Sequence, residues 1–166
     1  MEVCTAINEG ADYLIRHGIM RKISKSEAKD IFKQTQEEGL IYIADNVKNK
    51  PGFICHCCGC CCGILGAYKK FQIQTAVATS SYMVKLDSEK CTGCGIYVKR
   101  CQVDAILLSE KSEKGKVAKI KEDKCLGCGV CISSCKFQAL KMEKMKKRII
   151  TPDNVMEKFL IQAIEG

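Results

Sequence analysis

Apolar positions in the first third of the chain follow a helical rhythm. Behind "SKSE", Ala28, Ile31, Phe32 and Thr35 lie three or four apart on one face. Ser24 and Glu27 have the spacing of a capping box, and Gly39 stands where a C-cap glycine belongs. The pattern predicts a helix over about residues 25–38, and "LIYIADN" behind it reads as a short extended segment. A second stripe, Val155, Met156, Phe159, Leu160 and Ala163, predicts a C-terminal amphipathic helix docked on its own domain. Thr151 is its expected N-cap, with Pro152 at the first helical position. Between these stripes a 22-residue pattern occurs twice without a gap: "DSEKCTGCGIYVKRCQVDAILL" and "KEDKCLGCGVCISSCKFQALKM". Each copy reads as strand, cysteine loop, short helix and strand, with "SEKSEKGKVAKI" as a hairpin turn between them.

Four segments follow: a helical domain over 1–50, a cysteine-rich segment over 51–80, the repeat over 81–143, and a basic linker with its helix over 144–166. The first segment, as helix, turn, helix and strand, resembles a winged-helix piece. Its supposed recognition helix, "KSEAKDIFKQTQEE", carries as many acids as bases, which argues against a phosphate backbone as partner.

Cysteine usage changes the picture most. Of fourteen Cys in 166 residues, all but Cys4 gather in tight clusters rather than spreading as a disulfide framework would. The N-terminus is polar and acidic where a secretory signal would be apolar, and no run is long enough to span a bilayer. The expected setting is therefore soluble, reducing cytoplasm, where clustered thiols bind metal before they form disulfides. A formal charge of +8 would ordinarily point to nucleic acid or an anionic membrane. Each 4Fe-4S core with four thiolates brings about −2, so two clusters leave about +4 and three about +2. Neither nucleic acid nor membrane is expected as a partner.

The second copy contains C-x2-C-x2-C-x3-C at Cys125, Cys128, Cys131 and Cys135. Gly127 and Gly129 permit the tight turn that lets three thiolates and inward backbone N–H groups grip a cube of iron and sulfide. Here residues 82–143 resemble the bacterial two-cluster ferredoxins, an α+β fold. In that family the fourth cysteine of each motif ligates the other motif's cluster. The resemblance then implies one complete 4Fe-4S cluster on Cys125, Cys128, Cys131 and Cys101. The other site takes Cys91, Cys94 and Cys135, with Tyr97 where the fourth thiolate would be. The prolines that usually follow the fourth cysteine are replaced by Gln102 and Lys136.

Three readings of Tyr97 stand side by side. The site is vestigial, or it holds a 3Fe-4S or 4Fe-4S cluster on three thiolates, or a cysteine from "CHCCGCCC" completes it. Fewer thiolates leave less negative charge and a higher potential than the neighbouring cluster has.

"CHCCGCCCG" supplies Cys55, Cys57, Cys58, Cys60, Cys61 and Cys62, with Cys4 as a further candidate ligand. A third iron–sulfur site is the expectation there, and a zinc thiolate site the rival. His56 is expected to be a hydrogen-bonding neighbour rather than a ligand. The cysteine-rich run followed by the two repeats is similar to a larger group of 4Fe-4S dicluster proteins of anaerobic prokaryotes with a helical front domain. No nucleophile with its base, no phosphate loop and no dinucleotide fingerprint appears. The expected role is an electron carrier between redox enzymes, and the rival is an enzyme with a catalytic cluster at Cys55–Cys62.

Overall fold

The computed structural model describes residues 4–78, 80–110, 115–146 and 151–165. Its elements run β1 (Thr5–Ala6), α1 (Asn8–Arg16), α2 (Lys25–Glu37), β2 (Ile41–Ala44), β3 (Phe53–Cys57) and α3 (Gly63–Lys70). Then come β4 (Tyr82–Leu86), α4 (Ile96–Arg100), β5 (Ile106–Ser109), β6 (Val117–Ile120), α5 (Val130–Ser133), β7 (Leu140–Lys144) and α6 (Val155–Glu165). Helices and small sheets are thus mixed, as in an α+β protein. Two compact units emerge, one of Met1–Cys57 with Ile150–Gly166, the other of Cys58–Ile149. The division falls inside the cysteine-rich stretch.

In the first unit, helix α2 starts and stops where its caps dictate. The Ser24 hydroxyl accepts the Glu27 N–H at 3.1 Å, and Gly39 takes a φ of +75° just past the end. Helices are not the whole of this unit. β1, β3 and β2 form an antiparallel sheet in that order, so Cys55 and Cys57 lie on a strand. His56, between them, turns into the core. Its Nδ1 meets Thr35 Oγ1 at 2.8 Å and its Nε2 meets Thr5 Oγ1 at 3.4 Å. Thr35 donates to the Ile31 carbonyl, so Nδ1–H of the ring is the donor to Thr35. The rings of Phe32 and Tyr42 stand edge-on to the imidazole at 4.7 and 5.0 Å. Burial pushes the His56 pKa down, favouring the neutral ring.

The start of α6 departs from expectation. Asn154, not Thr151, is its N-cap: the Asn154 side chain accepts the Glu157 N–H at 3.0 Å, and the Glu157 carboxylate reaches back to the Asp153 N–H. Asn154 caps the first turn, and the Glu157 carboxylate takes the amide one residue further out, a variant of the capping box that outweighs the hydroxyl and proline signal upstream. Val155, Met156, Phe159 and Leu160 are exposed rather than docked.

The second unit is built on the repeat. Its strands pair crosswise between copies: β4 with β7, and β5 with β6 in a hairpin whose tip, 111–114, lies outside the described residues. Registers run from Tyr82 opposite Lys144 to Leu86 opposite Leu140, and from Ile106 opposite Ile120 to Ser109 opposite Val117. Val84, Ile106, Ala118, Ala139 and Leu140 form the buried core, which Cys91, Tyr97 and Cys131 share. Part of the basic run at 141–150 also falls outside the described residues.

Candidate metal centre

Each cysteine loop is turned by a pair of glycines in the left-handed region. Gly93 and Gly95 have φ of +65° and +73°, and Gly127 and Gly129 have +65° and +77°. The two copies therefore share a backbone, not only a spacing. A Cβ on Gly93 would strike the carbonyl of Lys116, and one on Gly127 the carbonyl of Tyr82. Lys116 and Tyr82 are themselves equivalent positions, so each loop packs against the other copy's first strand. The exchange recurs in the backbone: Asp87 N–H donates to the Ala139 carbonyl and Lys121 N–H to the Ala105 carbonyl, both at 2.8 Å.

This two-fold exchange sets the surroundings of the thiols. Backbone N–H groups point at sulfur: Ala105 at Cys101 (3.2 Å), Ala139 at Cys135 (3.3 Å) and Ala118 at Cys91 (3.5 Å). The last crosses between copies. Burial pushes the Cys131 thiol up to about 12, with the neighbouring charges of Cys128, Cys101 and Cys125 adding to it. Cys128 is raised by the desolvation of its thiol first, then by Cys101 and Cys125. The Cys128 and Cys131 thiols are thus raised in part by Cys101, across the repeat boundary. Four thiolates so placed repel unless a cationic core neutralises them, and the residues present fit an iron–sulfide group in that sense.

The partner site differs as Tyr97 dictates. Tyr97 is 3% exposed, and its hydroxyl lies 4.0 Å from Cys91 Sγ. Burial first, then the contact with Cys91, pushes its pKa up to about 12. Cys91 is buried while Cys94 is exposed. Cys135 packs against the same core as Cys91 and Tyr97.

Residues 90–139 match the family of 4Fe-4S dicluster domains. That match takes in Cys91, Cys94, Cys101, Cys125, Cys128, Cys131 and Cys135, so this part of the chain is similar to an iron–sulfur domain. No curated protein matches the chain. Among the described residues no helix is long and apolar enough to cross a membrane.

The remaining cysteines are distributed over both units. Cys4 is exposed ahead of β1, and Cys55 and Cys57 are on β3 in the first unit. In the second unit the sulfurs of Cys58, Cys60 and Cys61 lie within 4.8 Å of one another, Cys58 and Cys60 being joined as a disulfide. Cys62 is the N-cap position of α3.

Two features beside the dicluster domain escaped the sequence reading. Gln102, noted only for replacing a proline, accepts the Gly59 N–H at 2.9 Å. Tyr68 of α3 donates to the carbonyl of Asp123, ahead of Cys125, at 3.3 Å. The segment from Gly59 to Tyr68 thus flanks both the Cys101 and the Cys125 loops. A signal for the sulfur-facing amides was present: Ala105 and Ala139 occupy matching positions in the two copies.

Proposed function

We propose that the protein is a single-electron carrier between redox enzymes, with one complete and one three-thiolate cluster. The observation that supports this most directly is the crosswise pairing of the repeat, in which β4 pairs with β7, β5 with β6, and each cysteine loop packs its first glycine against a carbonyl of the other copy. In this reading Cys125, Cys128, Cys131 and Cys101 hold a 4Fe-4S cluster, and Cys91, Cys94 and Cys135 hold the second beside Tyr97. Bound clusters supply one-electron couples. The chain's own part is to fix the thiolates, direct N–H groups from Ala105, Ala118 and Ala139 at sulfur, and exclude water with Val84, Ile106 and Leu140. Hydrogen bonds to sulfur and burial are two of the levers that set cluster potentials. The expected setting is the cytoplasm of an anaerobe, and the expected partners are a donor and an acceptor enzyme.

Iron quantitation with EPR of the oxidised and reduced full chain tests the proposal. About seven to eight irons and signals indifferent to added small ligands are expected of a carrier with two such clusters. A signal that shifts with a small substrate would replace the carrier by an enzyme, and zinc with salt-dependent DNA binding would replace it by a regulatory module.

A further inference from the structure

The cysteine loop between β3 and α3 has a chemistry that the dicluster domain does not need. We propose that Cys58 and Cys60 form a redox-active disulfide that exchanges with dithiols.

Four observations carry this. The three sulfurs of Cys58, Cys60 and Cys61 converge within 4.8 Å, and the Cα atoms of Cys58 and Cys60 are 5.3 Å apart, inside the range of about 4.4–6.8 Å that a disulfide spans. The bridge joins cysteines separated by only 2 in sequence. Closing so short a loop constrains the unfolded chain least of any, so a stabilising role is poorly served. The pair is also asymmetric. Cys60 and Cys61 are exposed and Cys58 is half-buried, while Cys58 Sγ accepts the Cys61 N–H at 3.3 Å. Cys60 is then the sulfur a reductant can reach, and Cys58 is the better leaving group, its developing thiolate already facing a donor. Finally, the loop is held. Gly59 is buried, its N–H bonded to Gln102 Oε1 at 2.9 Å, and a Cβ there would collide with the Gln102 carbonyl.

The step balances as ordinary thiol–disulfide exchange. One thiolate of a dithiol donor bonds to Cys60 Sγ, the Cys58–Cys60 bond breaks, and Cys58 leaves as a thiolate. The donor's second thiolate then displaces Cys60 from the mixed disulfide. The donor departs as its own disulfide, two electrons having passed to the chain. Run backwards, the same steps reduce a disulfide target. None of these steps involves the cluster cysteines, so failure here and failure of the carrier reading are seen separately.

The full chain, kept anaerobic, is equilibrated in reduced and oxidised dithiothreitol, quenched in acid, alkylated and mapped by peptide mass spectrometry. A reduced Cys-x-x-Cys protein forms a parallel arm that separates a protein donor from a small one. Cys58 and Cys60 are expected to be protected when oxidised and both labelled when reduced, changing together as one two-electron couple. In a Cys61→Ser background challenged with glutathione disulfide, the thiolate left in Cys58→Ser attacks the probe and releases one glutathione; it should form a mixed disulfide on Cys60 roughly tenfold faster than Cys60→Ser forms one on Cys58, since Cys60 is the exposed sulfur. Labelling of both thiols in both states overturns the proposal. So does protection in both states accompanied by zinc or iron that Cys58→Ser removes, which would make the trio a metal site.

Discussion

The Tyr97 hydroxyl lies 4.0 Å from Cys91 Sγ, at the position equivalent to the buried Cys131 of the other copy. A phenol cannot be exchanged for a thiolate without changing the charge on the site. Tyr97→Cys is therefore expected to raise iron per chain or to lower the potential of the Cys91, Cys94 and Cys135 site, as measured by iron quantitation and a redox titration followed by EPR. If neither moves, the site is vestigial. In the iron-free chain the substitution empties a buried ring, which by analogy with large-to-small aromatic changes costs about 3–5 kcal/mol. Stability is best compared with iron present.

The crosswise pairing makes a sharper demand on Cys101. Although it belongs to the first copy, Cys101→Ser should deplete the cluster of Cys125, Cys128 and Cys131 and leave the signal of the Cys91 site. Cys135→Ser should do the reverse. EPR of the two variants distinguishes this from uncrossed ligation, in which each substitution would strike the cluster of its own copy.

Much of this arrangement was legible because spacing dictates it. The helix at Lys25–Glu37 follows from Ser24, Glu27 and Gly39, and the repeat's strand, loop, helix and strand follow from cysteine and glycine positions. What stayed illegible depends on contacts between segments distant in sequence. Cys55 and Cys57 sit on a strand because "FICHC" pairs with "IYIA" and buries His56 against Thr35, and a cysteine-dense string masks that strand. The cap of α6 was misplaced because Asn154 and Glu157 outcompete Thr151 for the first turn. Gln102 gave no signal of its hydrogen bond to Gly59, since nothing local links the two.

The glycine at the head of each loop tests whether the two copies are structurally equivalent. Gly93→Ala and Gly127→Ala place a Cβ at a positive φ and against a strand carbonyl of the other copy. The left-handed conformation alone costs roughly 1–2 kcal/mol for an L-residue, and the collision adds to it. Each substitution should lower the unfolding free energy by more than about 2 kcal/mol and reduce iron content. Gly63→Ala, with nothing within 4 Å of its added Cβ, should be neutral or stabilising. Chemical denaturation of the three variants gives the comparison, and a mild effect at Gly93 or Gly127 would contradict the close approach.

In the first unit the cap of α2 gives a prediction with a pH sign. Ser24→Ala removes the acceptor for the Glu27 N–H and should cost about 1 kcal/mol, seen as faster amide exchange in the first turn. Glu27 itself pairs with Arg21 at 2.6 Å. That hydrogen bond first, and the Arg21 charge and the Ser24 backbone N–H with it, hold the carboxyl below its ordinary value of 4.5. A carboxylate so lowered stabilises the folded state above its unfolded pKa, and the contribution is lost as pH falls through the folded value. Protection of the α2 amides should therefore decline on acidification below about pH 4.5 in the wild type. Glu27→Gln should remove that part of the acid response and start from lower protection at neutral pH. An unchanged acid response in Glu27→Gln would show that the loss arises from another carboxylate.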